Sequence, residues 1–205
     1  MNLETGEVHV YKTAHHERFV MDYQLPAVEV ALATAAAPTY FPAYRSGAGL
    51  PLVDGGMWAN NPVGLAVVEA IGVLGWRADE LRVLSLGCTT EPLRAKPGHI
   101  SRHGLIYWLP KLVSVFMAGQ SSASLGTAQL LAGHDHVVRI SPTVPNGRFR
   151  LDTAGEIQSL RGLGYAEARK AIPSLSSFFA EPADDFRPYR VPHDSIAPKR
   201  TGDNK

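Results

Sequence analysis

The stretch Leu50-Pro51-Leu52-Val53-Asp54-Gly55-Gly56 constrains this chain more tightly than any other. A short apolar run stops at an acid, two glycines follow, and Asn61-Pro62 then opens a helix-periodic segment. That order predicts strand, tight turn and helix. In open α/β sheets the carboxyl ends of strands are where chemistry is presented. The glycines let the backbone turn sharply and leave room for a group to approach the carboxylate. Asp54 is therefore a candidate general base or metal ligand, although Asp-Gly is also an ordinary turn pair.

The rest of the chain alternates between the two periodicities. Glu7–Tyr11, Leu50–Val53, Arg82–Leu86 and His136–Ile140 read as strands. Helical spacing runs from Pro26 to Ala36, where the residue before Pro38 is pushed out of helical geometry. It returns from Asn61, expected as the cap with Pro62 at the first position, to about Leu74, closed by Gly75. Further helices are expected over Leu105–Leu131, interrupted near Pro110, and over Tyr165–Ile172. Such alternation implies an α/β fold with a largely parallel sheet covered on both faces. From about Glu181 to Lys205, prolines alternate with charges and apolar residues are sparse, the composition of a disordered tail.

Composition narrows the functional classes. With 205 residues and 45% hydrophobic content, one domain with a real core is expected, placed at residues 1–180. Twenty basic residues against nineteen acidic ones leave a net charge of +1, which gives no electrostatic case for nucleic acid. The single cysteine, Cys88, cannot form an intramolecular disulfide. No apolar run resembles a secretory signal or is long enough to span a bilayer, so a cytoplasmic location is expected.

The blocks around Asp54 carry a resemblance. Ala35-Ala36-Ala37-Pro38-Thr39-Tyr40-Phe41-Pro42 precedes it, and Trp58-Ala59-Asn60-Asn61-Pro62 follows. Together with Asp54-Gly55-Gly56 these resemble the patatin-like phospholipase family, in which Ala-Ala-Pro-x-Tyr/Phe-Phe leads to Asp-Gly-Gly and then Asn-x-Pro. The resemblance is densest over about residues 3–74. It continues through Ser85-Leu86-Gly87, the helix around Gln120 and Leu163-Gly164-Tyr165. It implies a three-layer α/β fold with a mostly parallel central sheet. The implied activity is lipid acyl hydrolysis by a Ser–Asp dyad, with Asp54 as proton acceptor and no metal or cofactor. The implied partner is a phospholipid or other acyl ester, met in transient contact with a membrane surface. A carboxylate in water is a poor base for a serine hydroxyl, so the dyad needs partial desolvation, close contact and strong oxyanion stabilisation.

The family's nucleophile lies in a Gly-x-Ser-x-Gly elbow upstream of the aspartate, and that pattern occurs nowhere in these residues. Gly119-Gln120-Ser121-Ser122-Ala123 comes nearest but lacks the last glycine, follows Asp54 and reads as helix interior. The expectation is a C-terminal portion of a patatin-like enzyme, without its N-terminal strands and inactive alone. The alternative is a non-catalytic remnant serving as an interaction or regulatory module.

Other candidates are weaker. His134-Asp135-His136 places two imidazoles on one face of an expected strand, but no third metal ligand is evident. Lys12–Arg18 resembles a stretch of some bacterial patatin-like proteins, including those of nucleotide-gated antiphage systems; a solvated loop is the plainer reading. Leu105–Val113 suits an interfacial helix less well than a core helix kinked at Pro110. Cys88 reads as a small buried hydrophobe at a strand–loop corner.

Overall fold

The computed structural model describes residues 1–93, 108, 111–150 and 152–192. The chain divides into two compact units. One comprises Met1–Trp58 together with the residues from Asp184 onward, and the other comprises Ala59–Ala183.

In the first unit, helix α1 (Ala27–Thr34) begins directly after Pro26, whose φ of −58° is already that of a helix. Strands β1 (Tyr44–Arg45) and β2 (Pro51–Leu52) pair antiparallel, Tyr44 against Leu52 and Arg45 against Pro51. Residues 1–3 line the other edge of β2. Met1 and Val53 exchange two backbone bonds of 2.9 Å, and Leu3 N donates to Pro51 O at 2.9 Å. This three-segment ribbon buries Leu52 to 2% exposure. Farther along the chain, Tyr189 N donates to Ala14 O (2.7 Å) and Arg190 Nη1 to Glu17 O (2.9 Å), tying the segment from Asp184 to residues 14–17.

A short helix, α2 (Gly56–Ala59), leads into the second unit. There, α3 (Val63–Gly72) and α4 (Leu112–Ala132) pack together, and β3 (Val83–Leu86) pairs parallel with β4 (Val137–Ile140) in register from Val83↔Val137 to Leu86↔Ile140. Val63, Val67, Ala70, Leu81, Ala128, Ala132 and Val137 form the core, with Ile71, Val83 and Leu125 against it. Small residues permit the close helix contact. Gly64 N donates to Ser124 Oγ (2.9 Å), and a Cβ on Gly64 would stand 2.8 Å from Ser124 O. Helix α5 (Ile157–Leu175) brings Leu160, Leu163 and Gly164 to Leu86 and Ile140 around a largely apolar cavity of about 340 Å³.

The mixed α/β character agrees with expectation, and so do the helices after Pro26 and Pro62. The differences are informative. The described residues hold two separate two-stranded sheets rather than one mostly parallel sheet. Glu7–Tyr11 has no sheet pairing among the described residues; its first residue instead closes a turn, Asn2 N→Glu7 O with Gly6 N→Asn2 O. Helix α5 extends well beyond Tyr165–Ile172 and contains Pro173 in its last turn. His134–His136 is a 3₁₀ turn preceding β4, not a strand, so its two imidazoles do not share a strand face. Residues 193–205 of the expected tail, and 105–107 and 109–110 of the expected long helix, lie outside the described residues.

Candidate active site

Asp54 comes just past β2, separated from it by Val53, near the carboxyl end of a strand as the sequence predicts. Its surroundings in the first unit are built from the end of α1. Asp54 N donates to Ala36 O at 3.0 Å, so the residue is fastened to the Ala-Ala-Pro block by its own backbone. Gly55 lies against α1: a Cβ there would sit 3.2 Å from Thr34 Oγ1. A side chain there would need Thr34 Oγ1 or the turn to give by a few tenths of an ångström.

The next turn fixes the carboxylate. Gly56 N donates to Asp54 Oδ1, and Met57 N to Asp54 O at 3.3 Å, so the first residues of α2 wrap around the acid. Asp54 is half-buried. Among the described residues Oδ2 has no hydrogen-bond donor, and no serine hydroxyl bonds to either oxygen. The carboxylate is thus oriented through one oxygen and open through the other.

The loop before it is strained. Thr39 has φ 75°, the only non-glycine residue among those described with positive φ. For a β-branched side chain that conformation costs on the order of 1–2 kcal/mol. It persists because Ala37 O accepts from both Tyr40 N (3.1 Å) and Phe41 N (2.9 Å), closing the Ala-Ala-Pro turn around it.

In the second unit Asn61 plays a part the sequence reading missed. It was expected to cap α3, but Pro62 holds that position and no side chain caps the helix. Asn61 is 3% exposed and its carboxamide is used elsewhere. Nδ2 donates to Ser121 O (3.3 Å), while Oδ1 accepts from Ser85 Oγ (3.2 Å) and Arg139 Nη1 (3.3 Å). Arg139 Nη1 also donates to Ser85 Oγ at 2.7 Å. The Asn-Asn-Pro block is therefore locked to β3, β4 and α4. The partners lie 24 to 78 residues away, so only the unusual serine and arginine inside apolar strand runs signalled them.

The remaining candidates separate. Ser121 is interior to α4, where its carbonyl serves Asn61. Cys88 is exposed rather than buried, since it follows the end of β3. His136 Nδ1 pairs with Arg82 Nη1 at 2.9 Å, and the described residues contain no cluster of three or more metal-ligating side chains. Lys12–Phe19 is more than a solvated loop. Ala14 is 2% exposed, the His15 and Phe19 rings lie 4.7 Å apart, and Lys12 Nζ sits 5.4 Å over Phe19. No helix among the described residues is long and apolar enough to cross a membrane.

Residues 7–67 match the family described as patatin-like phospholipase. Over 204 residues, 96% of this chain, it is 29% identical to a cGAMP-activated phospholipase of Pseudomonas aeruginosa (strain BWHPSA011 / Pa011), covering 61% of that protein. Proteins of the same name from Vibrio cholerae serotype O1 and Escherichia coli (strain TW11681) are each 28% identical over 91% of this chain and 59% of their own length. The chain spans about 60% of the length of these curated relatives. The matched stretch holds Asp54-Gly55-Gly56 and the blocks on either side, and it is there that the chain is similar to the patatin-like phospholipase family.

Proposed function

We propose that this chain carries the general-base half of a lipid acyl hydrolase, with Asp54 as proton acceptor and a phospholipid acyl ester as substrate. The observation that supports it is the state of Asp54: one carboxylate oxygen held by Gly56 N, the other without a donor among the described residues. A base needs both orientation and a free lone pair. In this reading a serine hydroxyl from outside these 205 residues gives its proton to Oδ2 as its oxygen attacks the acyl carbonyl. The alcohol leaves with a proton, and water then hydrolyses the acyl-enzyme with Asp54 as base again. Backbone amides of a glycine-rich loop, also outside these residues, hold the oxyanion. The relatives' names add cGAMP as the first activator to test.

The 205-residue chain alone is expected to show no release of p-nitrophenol from a short-chain ester and no fatty acid from phospholipid vesicles. Joined to an upstream patatin-like segment bearing the elbow serine, it is expected to hydrolyse both. Asp54→Asn in that protein should then reduce kcat by roughly a hundred- to ten-thousandfold. Turnover by the 205 residues that survives Asp54→Asn overturns the assignment. Inactivity of the joined, folded protein favours the regulatory-module alternative.

A further inference from the structure

In β4, one residue before its carboxyl end, a cation lies without a counter-charge among the described residues. The Arg139 guanidinium is half-buried, and burial lowers its hold on its proton. Nη1 is taken by Ser85 Oγ and Asn61 Oδ1, both neutral acceptors. Among the described residues no carboxylate pairs with Arg139, and neither Nη2 nor Nε has an acceptor. A guanidinium cannot shed its charge at neutral pH, so holding it away from water unpaired is costly, and a planar donor edge suited to an oxyanion is left over.

A pair of hydroxyls lies close to the guanidinium. Ser141 follows the end of β4, and its Oγ lies 2.9 Å from Thr90 Oγ1 on the loop after β3. Gly87 brings them to the arginine. A methyl group on Gly87 would sit 2.7 Å from Ser141 Oγ and closer still to Arg139 Nη2. The missing side chain therefore lets the guanidinium and the hydroxyl pair converge on one point. Backbone bonds hold this corner, Gly87 N→Ile140 O at 2.8 Å and Thr90 N→Pro142 O at 2.9 Å. Ligands of open α/β sheets collect at strand carboxyl ends. We propose that Arg139, Ser141 and Thr90 form a binding site for a phosphate group, carried by a small phosphate ester or free in solution. Nη2 and Nε would supply a fork to two phosphate oxygens, and the hydroxyls would bond a third.

The test is titration calorimetry on the 205-residue chain at fixed ionic strength in potassium chloride, with three probes: inorganic phosphate, glycerol 3-phosphate and adenosine monophosphate. Saturable binding of phosphate is expected, with a matching rise in Tm. Arg139→Gln should weaken it by about tenfold or more. Gly87→Ala, which keeps every charge but drives a methyl into the corner, should do the same, and Ser141→Ala should weaken it by about threefold to tenfold. Far-UV circular dichroism checks the fold; if Arg139→Gln does not fold, Gly87→Ala and Ser141→Ala decide. Tighter binding of glycerol 3-phosphate identifies a lipid headgroup as source, tighter binding of the nucleotide a nucleotide, and equal affinity free phosphate; all three support the site. Absence of saturable phosphate binding, or wild-type affinity in both Gly87→Ala and Ser141→Ala, overturns it.

Discussion

Replacing Gly64 by alanine sets helix propensity against packing on one residue. In a solvated helix the exchange would stabilise by up to about 1 kcal/mol, through propensity and a less flexible unfolded chain. At Gly64 the new Cβ would stand 2.8 Å from Ser124 O, 3.0 Å from Ser124 Oγ and 3.3 Å from Ser124 Cα. Two of those atoms are backbone of the facing helix and cannot rotate aside. Relief must come from separating α3 and α4, which loosens Val63, Val67, Ala128 and Ala132 and stretches the Gly64 N→Ser124 Oγ bond. Overpacking of this kind costs about 1–3 kcal/mol, and the bond is worth about 1 kcal/mol more. The expected net change is a loss of roughly 1–3 kcal/mol, after setting the propensity gain against those costs. Gly119, on the facing helix α4, has nothing within 4 Å of its own Cβ position. Gly119→Ala should therefore stabilise by about 0.5–1 kcal/mol. Urea unfolding followed by far-UV circular dichroism measures both. A Gly64→Ala midpoint equal to or above wild type would refute the claimed closeness of α3 and α4.

Asn61→Ala leaves Ser121 O and the Ser85–Arg139 pair short of a partner, so it should cost about 1–3 kcal/mol in the same urea experiment, whereas exposed Asn60→Ala should sit near wild type. Gly55→Ala places a methyl 3.2 Å from Thr34 Oγ1; in the joined enzyme it should reduce kcat more than it raises KM, and an unchanged kcat would show that the turn tolerates displacement. His15 has its pKa lowered by burial and, next, by the Lys12 charge. The unfolded chain therefore takes up the proton first, so the stability contributed above about pH 6.5 is lost as pH falls from there through the folded-state value. Tm measured from pH 7.5 to 5 should fall along that window, and His15→Gln should flatten the slope.

How much was legible in advance depended on how local each cause was. Helix α3 could be read because Pro62 starts it and Gly75, at φ 70°, follows its end within the same short window. Strands β3 and β4 were short apolar runs with a turn signal at each boundary. Glu7–Tyr11 carried the same alternation yet forms no ladder, because a strand is completed by a partner that its own residues do not specify. Helix α5 extends through Gly162, Gly164 and Pro173; the glycines are tolerated, and the proline, in the last turn, disturbs only the helix end, where its missing N–H removes a single bond. At the candidate site, Asp54 and its glycines were evident because turn chemistry lies in consecutive residues. The lock on Asn61 was not, since a buried carboxamide and a capping one look alike until strands 24 and 78 residues away are placed.

The return of Tyr189 and Arg190 to residues 14–17 has a consequence for the order in which the molecule is made. The unit that holds Asp54 is assembled from two stretches of chain, while Ala59–Ala183 is continuous. On the ribosome the continuous unit can close as soon as its own residues have emerged, since its contacts need nothing synthesised later. The other must hold its first 58 residues in waiting until the chain has been extended past Arg190. Asp54 is thus translated well before the segment that completes its unit. Release of the segment beginning at Asp184, by a protease or a competing partner, would return that unit to its unfinished state while sparing the helices that clasp Gly64.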